Sequence, residues 1–279
     1  MEVSKKIEIE PSCSNVQIIN SLRNLIVSKY EHLFFAVIAH GSVGTGEIVP
    51  FSDFDGLLIV NDEYVDSKLL NEFKKKSMNL IYRFDPLQHH KWFEISKSSL
   101  DNYPQDYFPN EILSHSKLIY PMASSITLDI TFNNSNVDYK KGLFHIISLL
   151  ELQKETNWEK ENLYQLKSYL SKIMLLPSLY YSAKSSRGIF KKDSFEAVKN
   201  EFTEQEWMVI ESASKIRKEW NYELSFFQKK IMSNEHRLFR KLTKLVIAPK
   251  VSKELAIFLN TEFKMALSIF ISSIKKNVL

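Results

Sequence analysis

Along the first part of the chain the apolar positions switch between two spacings. Residues 15–32 carry Val16, Ile18, Ile19, Leu22, Leu25 and Ile26 at three- and four-residue steps, which predicts an amphipathic helix. FFAVIA (34–39) is a short β-branched and aromatic run and predicts a buried strand. A glycine-bearing loop follows, and FDGLLIV (54–60) predicts a second strand. Residues 66–78 have a helical pattern. LIYRF (80–84) and KWFEIS (91–96) read as two further strands, separated by the breaker-rich DPLQHH (85–90).

From about Gly142 onward the period becomes helical throughout, with long stretches over 143–155, 158–184, 203–219, 222–247 and 251–276. No repeat at a fixed period is evident. Between the two regimes lies a polar segment, 120–141, with the strand-like SITLDITF. The expected architecture is an α/β (α+β) N-terminal domain with a small mixed sheet over residues 1–135. An α-helical domain follows over 136–279.

Composition narrows the class. Apolar residues make up 44% and charged residues 25% of 279 residues, the balance of a globular chain able to bury a sizeable core. The formal charge of +4 suits a protein that handles phosphates. It neither indicates nor excludes nucleic acid as a partner. Cys13 is the only cysteine, so an intramolecular disulfide and a cysteine zinc cluster are both excluded. The opening MEVSKKIEIEPS has no apolar run of a signal peptide. Charged and polar residues (Asn260, Glu262, Lys264) interrupt the apolar stretch Leu255–Ile274, which is read as a packed helix and not a membrane span. A cytoplasmic location is expected, and a homodimer stays open.

Candidate chemistry begins with the glycines. Of six in the chain, Gly41, Gly44, Gly46 and Gly56 fall within sixteen residues, directly after the first strand. Such a cluster permits close approach of backbone to a ligand, as in loops whose amides meet phosphate oxygens. Asp53-Phe54-Asp55 then leads into the strand LLIV. In an extended chain, residues two apart project from one face. Two carboxylates held that close repel unless a cation lies between them. Magnesium commonly binds through one or two carboxylates plus substrate phosphates. A strand, Gly41-Ser42, a ten-residue spacer and Asp53-x-Asp55 together describe a phosphate-and-metal site; alone, Asp-x-Asp would more often be a solvated turn.

The run HGSVGTGEIVPFSDFDGLLIV (40–60) resembles the signature of the DNA polymerase β-like nucleotidyltransferase superfamily over about 25 residues. The two-domain layout is similar to that of the aminoglycoside (antibiotic) nucleotidyltransferases. The resemblance implies that Gly41 and Ser42 bind the triphosphate and that Asp53 and Asp55 coordinate Mg2+, or Mn2+ in its place. It also implies a third carboxylate on a neighbouring strand. Glu94 in WFEIS fits that pattern best; Asp85, after LIYRF, and Asp129, in TLDITF, are the alternatives.

Two adjacent histidines, His89 and His90, lie between the predicted strands, and either could assist proton transfer from an acceptor hydroxyl. Side chains of neighbouring residues point apart, so only one could face the site; His90 is carried as the candidate. In the helical half, 177–195 reads as a basic, serine-rich loop, and Lys191 and Lys192 are candidates to offset phosphate charge. The bland alternative for that run is a solvated turn. The expected function is metal-dependent transfer of a nucleoside monophosphate from a triphosphate, ATP among them, to a hydroxyl, with a small molecule as first choice of acceptor. A protein or RNA hydroxyl is the second choice. A protein of the same fold that binds nucleotide without catalysis is the reading from a different class.

Overall fold

The computed structural model describes residues 2–13, 16–133, 137–220 and 222–278. The boundary expected between residues 135 and 136 lies outside the described residues. The chain folds as two compact units, one comprising Met1–Val137 with Phe226–Arg240 and the other Asp138–Ser225 with Lys241–Leu279.

The first unit contains β1 (Glu2–Ile9), α1 (Gln17–Leu25), β2 (Phe34–His40), α2 (Gly41–Thr45), β3 (Asp55–Val60), α3 (Lys68–Phe84), β4 (Phe93–Ser96), α4 (Asn110–Leu113), β5 (Lys117–Tyr120) and β6 (Ile126–Asn133). Four strands form a mixed sheet in the order β4-β3-β2-β5, and β1 and β6 form a separate antiparallel pair. Strand β3 is antiparallel to β2 and parallel to β4. Both central strands are covered on both faces, which explains their nearly unbroken apolar sequences. One face, with Val37, Ala39, Leu58 and Val60, packs on α1 and α3 through Ile19, Leu22, Phe73 and Ile81. The opposite face, with Ile38, Leu57 and Ile59, packs on Phe108, Leu113 and Leu128.

LIYRF, expected as a strand, is instead the last turn and a half of α3. The helix runs 17 residues and buries Leu70, Phe73, Ser77, Met78, Ile81 and Tyr82, an i, i+3/i+4 stripe. Ser67 caps its start by accepting from Leu70 N. The β-favouring composition of five residues gives way to a periodicity sustained over seventeen.

Gly56 sits where the sheet meets an aromatic layer. A Cβ added there would overlap the Trp92 ring and stand 2.8 Å from Phe54 Cε1. Those two rings meet edge to face at 5.2 Å, and the Trp92 indole donates to Ser77 Oγ at 2.9 Å, so neither ring yields cheaply. Gly56→Ala is therefore expected to destabilise the protein by about 1–3 kcal/mol through overpacking, read as a lower urea midpoint at unchanged slope.

The second unit is helical: α5 (Tyr139–Gln153), α6 (Leu163–Ile173), α7 (Leu176–Ser185), α8 (Lys191–Lys199) and α9 (Glu204–Lys218). Helix α10 (Phe226–Met232) belongs to the first unit, and α11 spans Arg237–Leu242. Helices α12 (Lys253–Phe258) and α13 (Lys264–Val278) end the second unit. Helices α7 and α8 together occupy most of what reads as a basic loop, with Pro177 in the first turn of α7, where a missing N–H costs nothing. Only residues 186–190 between α7 and α8 are non-helical. Lys253–Val278 is long and apolar enough to cross a membrane by length and composition. Within its unit α13 buries Phe270, Ile271 and Ile274, and Phe270 meets the rings of Phe202 and Trp207.

Candidate active site

The sheet brings the glycine turn and Asp55 together. Strand β2 ends at His40, which pairs in register with Asp55, the first residue of β3. The chain leaves β2 through Gly41, at φ +60°, and enters the helical turn α2, whose start no side chain among the described residues caps. A Cβ on Gly41 would lie 2.6 Å from Asp55 Oδ2. Gly41 is thus required twice, for a left-handed backbone and for the space its missing side chain leaves to a carboxylate. Ser42 is the second residue of the same turn.

Asp53 and Asp55 are half-buried on either side of Phe54, which is 2% exposed in the aromatic layer with Trp92. Asp53 Oδ1 accepts from the backbone N–H of His89 at 3.2 Å, and the His89 Nδ1 lies 3.9 Å from the same oxygen. Of the two histidines it is His89 that stands against Asp53. His90 is exposed, and its backbone carbonyl accepts from the Gln88 side chain at 3.0 Å.

His40 forms the wall beside Asp55. Its ring lies between Phe108 at 5.0 Å and Phe93 at 5.7 Å, it is 6% exposed, and its Nε2 is buried with no hydrogen-bond partner among the described residues. Burial, with a smaller contribution from the charge of His90, drives its pKa from 6.5 down to about 3. The folded protein therefore keeps His40 neutral while the unfolded chain takes up a proton as the pH falls through 6.5. The unfolded state binds more protons there, so this stabilisation is full above 6.5 and is lost progressively towards 3, by at most ~1.4 kcal/mol per pH unit. His40→Phe, which keeps the ring contacts, should flatten the decline in urea midpoint between pH 7.5 and pH 4.5.

The three candidates for a third carboxylate go elsewhere. Leu57 of β3 pairs with Phe93 of β4, and Leu58 with Glu94. Partners in a ladder share a face, so Glu94 projects with Leu58 to the α3 side, opposite Asp55, and pairs with Lys74 Nζ at 2.9 Å. Asp85 is fully buried after α3, where its Oδ1 accepts from Leu87 N at 3.0 Å. Asp129 is on β6 of the two-stranded sheet, 62% exposed and 3.8 Å from Lys6. Among the described residues no group of three or more His, Cys, Asp or Glu side chains is arranged to hold a metal ion. Lys191 and Lys192 are exposed in the first turn of α8, in the second unit.

The donor set at Asp53 and Asp55 consists of hard carboxylate oxygens. It fits a divalent ion that takes its remaining ligands from phosphates and water, as Mg2+ does. It does not fit a closed cage, because two acids from one chain segment fill too few positions.

Sequence reasoning missed Gln88 and Arg240. Gln88 is 2% exposed, and both ends of its side-chain amide bond to the backbone of Phe54 at 2.8 Å. Arg240, 8% exposed, donates to the carbonyls of Pro86, Gln88 and Met232. An arginine between Phe239 and Lys241 in HRLFRKLTK gives no local sign of this role.

No protein-family model matches the sequence, and no curated protein matches it. Among solved structures, the chain is similar to spectinomycin adenyltransferase AAD(9) from Enterococcus faecialis, a crystal structure with ATP and spectinomycin. The identity is 15%, the match covers 83% of this chain and 100% of that chain, and the TM-score is 0.40.

Proposed function

We propose that the first unit carries a metal-dependent nucleotidyltransferase site, which moves a nucleoside monophosphate from a triphosphate such as ATP to a hydroxyl acceptor. The observation that carries this reading is the approach of the Asp55 carboxylate to Gly41. It puts the Asp55 carboxylate against the start of a glycine turn, where backbone N–H groups lack intrahelical partners. A phosphate chain bound there would meet donors on one side and a metal-binding carboxylate pair on the other.

Asp53 and Asp55 would hold Mg2+ or Mn2+, which when bound supplies positive charge to the reacting phosphoryl group and acidifies the acceptor hydroxyl. The chain's own part is to bind and to orient. The amides of Gly41 and Ser42 take phosphate oxygens. The His89 N–H fixes one Asp53 oxygen and with it the direction of the carboxylate. A bond forms between the acceptor oxygen and the α-phosphorus, the α–β bridge bond breaks, and pyrophosphate leaves. The hydroxyl proton goes to an imidazole of the histidine pair, and the approach to Asp53 favours His89 over His90. We take the acceptor to be a small hydroxylated molecule and the setting to be the cytoplasm, where triphosphates are abundant.

A second reading is nucleotide binding without transfer. The displacement of Glu94 to the other face of the sheet, paired with Lys74, favours it. One experiment separates the two. The protein is incubated with each α-labelled triphosphate and Mg2+ or Mn2+, with panels of hydroxylated small molecules, RNA and copurifying protein. Metal-dependent pyrophosphate release with label on an acceptor supports transfer, and the labelled acceptor names its class. Saturable triphosphate binding with no release across the panel supports the second reading. Absence of any saturable triphosphate binding would sink both.

A further inference from the structure

The ladder between β3 and β4 begins at Leu57 and Phe93. Ahead of it, the neighbour of Phe54 is a side chain instead of a strand. Gln88 Nε2 donates to the Phe54 carbonyl at 2.8 Å, and Gln88 Oε1 accepts from the Phe54 N–H at 2.8 Å. A primary amide offers one acceptor oxygen and two donor hydrogens, so it can take the place of a backbone peptide group. The second hydrogen goes to the His90 carbonyl at 3.0 Å. One residue along, the His89 N–H holds Asp53 Oδ1. The turn 88–90 therefore fixes the backbone at the centre of Asp53-Phe54-Asp55 and one carboxylate beside it.

The turn itself has an anchor. Arg240 Nη1 donates to the Met232 carbonyl at 2.7 Å and to the Pro86 carbonyl at 3.3 Å, and Nη2 donates to the Gln88 carbonyl at 3.1 Å. The guanidinium lies 3.7 Å from the centroid of the Tyr82 ring. A planar fork stacked on an aromatic face has little freedom left, and a lysine cannot reproduce three directed bonds from a plane. The path Arg240–Gln88–Phe54 is buried throughout and ends between the two aspartates.

We infer that Gln88, locked by Arg240, is a positioning residue that sets the separation and direction of the Asp53 and Asp55 carboxylates for metal binding. This rests on the reading of the pair as a metal site. Partners one step removed from a metal typically change its affinity 10- to 100-fold when lost.

The test uses Mn2+ and ATP with the full chain, and so needs no acceptor. Free Mn2+ is followed by electron paramagnetic resonance at a temperature where near-UV circular dichroism shows each variant folded. Gln88→Met keeps the length of the side chain and removes its bonds to Phe54. Arg240→Lys loosens the other end of the path and carries the same test should Gln88→Met not fold. Ser77→Ala is the control: it strips the buried Trp92 indole of its acceptor and lowers stability without touching the turn. Gln88→Met and Arg240→Lys are expected to weaken Mn2+ binding in the presence of ATP by about 10-fold or more, with Ser77→Ala within about 2-fold of wild type. The inference is overturned if the Gln88 and Arg240 variants bind Mn2+ like wild type while Asp55→Asn does not. It is overturned equally if Ser77→Ala weakens binding as much as they do, because the effect would then be general stability. If the wild-type protein takes up no Mn2+ with ATP, the metal-site reading itself fails and this inference goes with it.

Discussion

Asp53→Asn and Asp55→Asn should each lower metal-dependent pyrophosphate release by more than about 100-fold, beyond what loss of an outer partner costs, while the melting temperature holds or rises. Asparagine has nearly the shape of aspartate and keeps an acceptor oxygen, so the His89 N–H still finds its partner at position 53. What disappears is one negative charge. In the absence of metal the two carboxylates, two residues apart around Phe54, repel each other, and neutralising one relieves that repulsion. With metal present the same change removes the ligand charge that Mg2+ demands. Thermal melts with and without Mn2+ and ATP make the contrast visible. Wild type should gain stability from the ligands by mass action, and neither variant should. A variant that loses turnover by unfolding, or that still gains stability from Mn2+ and ATP, would count against a metal-binding pair.

Gly41→Ala is the second change with a large expected effect. At φ +60° any side chain pays roughly 1–2 kcal/mol for the left-handed backbone. The new methyl would also stand 2.6 Å from Asp55 Oδ2, well inside contact distance. The Asp55 side chain can relieve this by turning about χ1 or χ2, and either turn moves the oxygen away from the glycine turn. A displacement of about 1 Å at a reacting centre can cost on the order of 100-fold in rate. The expected result is therefore a modest loss of stability with a disproportionate loss of turnover and of Mn2+ affinity. Gly44→Ala makes a useful comparison. Its added Cβ would meet backbone carbonyls, that of Ala39 at 2.8 Å and that of His115 at 3.3 Å, so it should cost stability without singling out metal binding. A Gly41→Ala protein with full activity would show that Asp55 does not need its present position.

The legible parts of this protein are those whose determinants are close in sequence. The glycine turn and Asp53-x-Asp55 are separated by one connection between neighbouring strands, so their residue types and spacing already point to one place. Strands β2 and β3 announce themselves as apolar runs because both of their faces are covered. The small mixed sheet and the helical second half follow from where the period changes. Glu94 was illegible for a reason of register. Its flanking apolar residues mark a strand, but only the pairing of Leu57 with Phe93 decides which face it takes, and a shift of one residue would have reversed the answer. His89 and His90 differ in the same way, since adjacent positions in sequence lead to opposite surroundings. Arg240 lies 152 positions from Gln88, and nothing in a helical pattern of basic and apolar residues announces a bond to a distant carbonyl. LIYRF shows the opposite error, in which five residues suggest a strand that a longer stripe overrides.

The return of Phe226–Arg240 to the first unit bears on how the protein is made. A ribosome that has released residues 1–137 has delivered every strand of the sheet, the glycine turn and both aspartates. It has not yet delivered the guanidinium that closes over Tyr82 and ties down the turn at Gln88. Until that later segment has emerged, the nascent sheet holds its acids without their brace, and the newborn chain passes through a stage in which its chemistry is spelled out but not yet aimed.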